Sequence, residues 1–287
     1  MHWFTALTLL FAIAWGYDIP KGKSLVVTLP SPAGEIVGTE HNISVVIHPS
    51  DPGKGMAVIP VDYYAQSGDS NVTWIAPGNQ TPIPIRICDF PYPTEVLSVE
   101  PSKVTPPPEA LERIALEKAE AEAIYTHFTP VRYWNKPFIL PLDSNITSAY
   151  GSARTYNGVL KSYHGGVDFR ALTPTPIQAT NDGIVVLAKE RYYAGGTIII
   201  DHGEGIYSCY FHLSRFDVQV GERVVRGQPI ALSGASGRIT GPHLHFGMMV
   251  HGVQSDPLDL LAQFERLFDS ETGSAAADPS ISLDKGL

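Results

Sequence analysis

Short runs rich in β-branched and apolar residues recur at 24–29, 43–47, 56–60, 72–75 and 83–87, separated by Gly, Pro, Asn and Asp clusters such as HPSDPGKG and APGNQTP. Alternation with period two puts every second side chain on one face of a strand. Short strands with this punctuation predict an immunoglobulin-like antiparallel β-sandwich over residues 17–96. After Pro106-Pro107-Pro108 the pattern changes. Glu and Ala dominate, Leu111, Ile114 and Leu116 recur at near-helical spacing, and Pro130 stops the run. This predicts a helix over 109–128 within a linker at 97–135. Strand-like runs return at 184–189, 197–201, 207–212, 229–233 and 243–249 with Gly-rich turns between them, predicting a second all-β domain at 136–262. Residues 263–287, which include SETGSAAADPS, read as a flexible tail. The fold class is therefore mostly all-β, with two β domains joined by a helix.

The first residues carry a different signal. WFTALTLLFAIAW, residues 3–15, is uncharged and mostly apolar. As a helix it would span roughly 20 Å, too short for a hydrocarbon core of about 30 Å. It reads as a signal peptide at 1–16, with Ala14 and Gly16 as the small residues before the cut. That implies a periplasmic or secreted protein of the cell envelope with no membrane span after cleavage; an uncleaved anchor is the alternative.

Charge narrows the range of partners. Lys and Arg number 20 against 29 Asp and Glu, giving a net charge of −9. Such a chain repels polyphosphates, so nucleic acid is excluded as a partner. At 287 residues and 44% hydrophobic, the chain can bury its cores without a structural metal or disulfide, so any metal invites a catalytic reading. Cys88 and Cys209 lie in separate strand-like runs, a spacing that suits neither a zinc ribbon nor a redox pair. A disulfide between them and two free thiols are both compatible with the sequence. The oligomeric state is not legible.

Six of the ten histidines fall between 164 and 251. His243 and His245, in GPHLHFGMMV, share one face of a strand. His164 and Asp168, in HGGVDF, stand four apart, but Gly165 and Gly166 disfavour a helix and favour a turn into a strand. His212 ends the run YSCYFHLS, where plain alternation points it to the face opposite Phe211. Each motif alone is weak; together in one Gly-rich β domain they are specific. Zn²⁺ explains their company: a catalytic zinc takes three His or carboxylate ligands and leaves a place for water, which it acidifies while polarising a carbonyl. Amide hydrolysis is the natural reaction, and two histidines outside the ligand set can move the proton and support the oxyanion. HExxH and GxSxG are absent, which excludes a helical zincin and argues against an α/β-hydrolase. His202 and His251 sit at turns and read as hairpin residues.

The stretch from Ile146 to about Asp259 resembles the M23 (LytM, lysostaphin-like) zinc metallopeptidases. The resemblance runs in order through ITSAYG, HGGVDFRA, QATNDGIVV, GTIIIDHG, YFHL, VGERVVRGQPIALSGASGRITGPHLHF and Asp256-Pro257. It implies an antiparallel β domain of the LytM/lysostaphin type, with His164, Asp168 and His245 as zinc ligands and His212 and His243 as catalytic partners. It further implies hydrolysis of stem-peptide or cross-link bonds in bacterial peptidoglycan. Degenerate relatives lose ligands and act as binding proteins or amidase activators; here all five positions are filled. Pro174-Thr175-Pro176 replaces the usual Gly-Thr-Pro turn, and Tyr156 or Tyr192 could stand near the water site. Latent relatives block the zinc with an N-terminal segment, and whether the first domain here does so is open.

Overall fold

The computed structural model describes residues 16–39 and 42–269. The segment expected to be a signal peptide, apart from Gly16, and the chain from 270 onward lie outside them. Most of the regular structure between is β, as the strand-like runs predicted.

The N-terminal body consists of two facing sheets. One runs in the order Tyr17–Pro20, Asn79–Cys88, Gly68–Ala76, Glu35–Val37, Ile43–Ser44; the other is Ser24–Leu29, Gly55–Pro60, Val46–Ile47. Ile36, Val72, Trp74, Ile83 and Ile85 of the first meet Val27, Leu29, Ala57 and Ile59 of the second in one apolar core. The region predicted as a single strand at 43–47 is split between the sheets.

Three expected boundaries shift. The sequence predicts a sandwich at 17–96 and a linker at 97–135, but strand Thr94–Leu97 pairs in parallel with Ala153–Tyr156 and so belongs to the second body. The end of that linker is docked as well. Trp134 is buried against Phe138 and Phe264, and Tyr133 N–H donates to the His202 carbonyl. The flexible tail was placed from 263, yet a helix runs Pro257–Asp269 with Leu260, Phe264 and Leu267 buried. These residues repeat at three- and four-residue intervals, one face of a helix, and only the polar stretch after them resembled a tail. Gln263 on this helix accepts from Val26 N–H and donates to the Ser24 carbonyl, fastening the helix to an edge strand of the first body.

The connecting helix spans Pro108–Tyr125, with Pro at its first position, where the missing N–H has no intrahelical partner to lose. It ends three residues before 128, where the Thr126 hydroxyl donates to the Glu122 carbonyl. Glu117 and Glu120 tie it to Tyr192 N–H and Lys189 of the second body.

The second body is a large, mainly antiparallel sheet in the order Ile146–Ser148, Val167–Arg170, His243–Val250, Ile206–Phe216, Gly195–Asp201, Gly183–Arg191, Arg223–Val224. Short strands Pro176–Gln178, Pro229–Ser233 and Val253–Ser255 flank it. Its core of Phe169, Ile198, Ile200, Tyr210, Leu244, Phe246 and Met248 is fully buried. Cys88 and Cys209 are both free thiols, the latter buried 3.3 Å from the Tyr125 hydroxyl.

Candidate active site

Strand His243–Val250 lies between Val167–Arg170 and Ile206–Phe216, and its register sets Asp168 directly opposite His245 and Arg170 opposite His243. Directly opposed residues project to the same face, so register alone brings the Asp168 carboxylate to the His245 ring. His164 arrives through Gly165 and Gly166. A Cβ at Gly166 would lie 2.4 Å from the Phe246 carbonyl and 2.6 Å from His245 Nε2, and one at Gly165 would strike the Gln254 amide. The chain can pass beneath His245 only without side chains there.

The result is a triangle of ligand atoms. His164 Nε2 is 2.9 Å from Asp168 Oδ1 and 3.0 Å from His245 Nδ1, and His245 Nδ1 is 2.9 Å from the same Oδ1. Among the described residues this is the one group of three that could hold a metal ion. The tautomer is set from behind, because His164 Nδ1–H donates to the Ala149 carbonyl at 2.8 Å and leaves Nε2 as a bare lone pair facing a carboxylate oxygen. Electron-rich atoms so close repel unless a proton or cation lies among them. The spacing is close to the roughly 3.3 Å between ligands that tetrahedral bonds of about 2.0 Å impose, so two imidazoles and a carboxylate with this shape fit zinc. Burial pushes His245 down to about 4, which keeps it neutral and able to ligate.

His212 required a correction. Plain alternation sent it to the face away from Phe211, yet its ring centroid lies 4.7 Å from His243 and 6.1 Å from His245, while Phe211 stacks on His245 at 5.1 Å. A β-bulge accounts for this. Gly196 pairs with Leu213 and Ile198 with Tyr210, so two residues on one strand face one on the other, and His212 takes a φ of 64°. An extra residue turns the side chain toward the cleft, a use of bulges common beside active sites. His212 Nδ1–H donates to the Ser236 carbonyl and His243 Nδ1–H to the Gly241 carbonyl, at 2.8 and 2.7 Å, so each ring offers Nε2 to the cleft. Burial, aided by His243 and His245, pushes His212 down to about 3.

The structure also adds residues that sequence reasoning missed. Arg154 Nη2 donates to Asp168 Oδ2 at 2.9 Å and to Ser148 Oγ at 2.8 Å, while its Nε donates to Glu95 Oε2 at 2.8 Å. Burial works to raise Glu95, but hydrogen bonds from Ser148 and Arg154 keep its carboxyl below the ordinary range. Arg154 thus holds the outer oxygen of Asp168 while the inner one faces the histidines. Arg154 falls between the segments ITSAYG and HGGVDFRA, and no motif marks it. Glu95 reaches the site through a strand pairing across the chain that no local pattern announces. These groups, with Leu97, Val99, Tyr156 and Arg238, line a cleft of about 210 Å³.

The remaining candidates fall elsewhere. His202 is completely buried, with Nδ1–H donating to the Asp182 carbonyl and Nε2 at 2.7 Å from Ser208 Oγ, so both nitrogens are used by the fold. His251 occupies a turn beside Phe128. Tyr156 lines the cleft, whereas the Tyr192 hydroxyl donates to the Ser102 carbonyl.

Comparison with known proteins agrees with this geometry. Residues 162–257 match the model of Peptidase family M23. Over 89 residues it is 45% identical to the peptidoglycan DD-endopeptidase ShyA of Vibrio cholerae, covering 31% of this chain and 21% of that protein. It is 38% identical over 124 residues to the glycyl-glycine endopeptidase ALE-1 of Staphylococcus capitis, covering 41% and 34% of the two chains. The chain therefore spans about a fifth to a third of the length of these relatives. A crystal structure from Pseudomonas aeruginosa, assigned to peptidase M23, superposes with a TM-score of 0.68 at 27% identity, over 85% of this chain and 95% of that one. That likeness extends beyond the peptidase domain into the N-terminal body.

Proposed function

We propose that this protein is a zinc-dependent endopeptidase that hydrolyses peptide bonds in bacterial peptidoglycan, and that residues 1–16 direct it to the periplasm or the cell exterior. The observation that carries the reading is the triangle of His164, Asp168 and His245 with sides of 2.9 to 3.0 Å, beside two imidazoles that donate backward and leave Nε2 toward the cleft. The M23 match and the endopeptidase names of its relatives support the same choice.

In this reading His164 Nε2, Asp168 Oδ1 and His245 Nδ1 hold the ion. When bound, zinc polarises a carbonyl and acidifies water. His212 and His243 do the proton work. A ring whose Nδ1–H is held by a carbonyl can accept a proton only at Nε2 and, once charged, can donate only from there. One therefore draws a proton from the attacking water at Nε2 and returns it from that atom to the departing amine, while the other helps to stabilise the charge growing on the carbonyl oxygen. Arg154 stops Asp168 from rotating away from the histidines.

Incubating the zinc-loaded protein with purified sacculi, followed by mass spectrometry of released fragments, tests the proposal and names the bond. Released peptides ending at a new amine and a new carboxylate are expected. Intact sacculi, with zinc present at one equivalent, would favour instead a non-catalytic wall-binding or amidase-activating protein.

A further inference from the structure

Arg238 lies in the loop before strand His243–Val250 and lines the same cleft as His212, His243 and His245. Its guanidinium is 4.5 Å from the Tyr156 ring centroid and 4.7 Å from that of Tyr193, and its backbone N–H donates to the Tyr193 carbonyl at 2.8 Å. The loop is pressed close: a Cβ on Gly237, whose φ is 82°, would lie 2.4 Å from that carbonyl. Arg238 is therefore a half-buried cation fixed by aromatic faces.

Its charge is paired with no carboxylate among the described residues. Among the described residues the guanidinium of Arg238 makes no ion pair and no hydrogen bond, although Glu95 and Asp168 line the same cleft. Both of those carboxylates are engaged by Arg154, at 2.8 and 2.9 Å. Contact with an aromatic face restrains a guanidinium and leaves its in-plane N–H groups open, and a fork of N–H donors matches a carboxylate in shape and charge. In a chain of net charge −9, an unmatched arginine in the cleft is a receptor for an anion.

We propose that Arg238 forms a carboxylate-binding subsite, so that the peptide cleaved carries a free carboxylate on a residue flanking the scissile bond. This rests on the reading of the cleft as a peptidase site and narrows its substrate class: acidic peptides are preferred over oligoglycine, which offers only neutral amides along its length.

The test uses two synthetic peptides identical except that the flanking residue bears a carboxylate in one and a carboxamide in the other. With zinc-loaded full-length protein, kcat/KM for the carboxylate peptide should exceed that for the carboxamide by about tenfold or more, the scale of a charge-assisted fork. Arg238→Gln should bring the ratio within about twofold of unity, and Arg238→Lys should fall between, because an ammonium keeps the charge without the fork. A wild-type ratio near unity, or one that Arg238→Gln leaves unchanged, overturns the subsite. If neither peptide is cut, the peptidase reading fails on its own, and calorimetry of the same pair still decides: a tenfold tighter Kd for the carboxylate, lost in Arg238→Gln, upholds the subsite, and equal Kd values overturn it. Should Arg238→Gln fail to fold, the wild-type preference and its reduction in Arg238→Lys decide.

Discussion

The N-terminal and C-terminal bodies are both built from alternating strands, but they differ in what they bury. Between its two sheets the first holds aliphatic side chains and Trp74, with Ser24 and His48 as buried polar exceptions. A cavity of about 290 Å³, lined by Ile43, Ile59, Val61, Val72 and Ile85 together with His251 and Val253 of the second body, contains no converging set of metal donors among the described residues. The second body buries His164, Asp168, Asn181, Asp201, His202, Ser208, His212 and His245 within its sheet. Buried polar groups cost stability unless bonded, so the manner of bonding is informative. His202 has both nitrogens occupied by the fold, whereas His164, His212 and His243 each give one nitrogen to a backbone carbonyl and leave the other to the ligand triangle, for His164, or to the cleft, for His212 and His243. Half-committed histidines mark the chemistry; fully committed ones mark the architecture.

The sharpest way to break this contrast is at the triangle itself. His164→Ala and Asp168→Ala should each abolish zinc retention and reduce turnover below detection, measured by metal analysis beside a peptide assay. His212→Ala should keep zinc near one equivalent while turnover falls roughly 10²- to 10⁴-fold; loss of metal in all three variants would sink the division between holders and helpers. Arg154→Leu leaves the Glu95 and Asp168 carboxylates without their counter-charge, and breaking such a pair costs about 3–5 kcal/mol, read by denaturant unfolding. In the first body Ile59→Ala should cost about 2–5 kcal/mol through the cavity it leaves, with zinc content unchanged. A drop in metal content there would show that the two bodies are not separable in function.

A smaller effect concerns pH. Burial pushes His202 down to about 4 from its ordinary 6.5, outweighing the hydrogen bond to the Asp182 carbonyl. Between those values the unfolded chain binds a proton that the folded chain refuses. The contribution of His202 is therefore complete above about pH 6.5 and is lost as the pH falls to 4, about 3 kcal/mol in all. Comparing the pH dependence of unfolding in wild type and His202→Gln isolates that share; equal slopes would refute it.

Several features were legible in the chain alone because they are local. Runs of β-branched and apolar residues located the strands, the Glu- and Ala-rich run the connecting helix, and HGGVDF, YFHL and PHLHF the five candidate residues that the fold brings together. Glycine at 166 was readable as a turn, though not as the space that His245 requires. The face of His212 depended on one extra residue in a strand, which periodicity cannot see because the partner strand defines the bulge. Glu95 reached the site by parallel pairing with a strand more than 50 positions away, and Arg238 became a fixed cation only between Tyr156 and Tyr193. The sequence by itself determined which chemical groups are available and the period of each element. Register, bulge and cross-chain pairing decided which of those groups meet, because they depend on the free energy of packing distant segments together and not on any run of neighbouring residues.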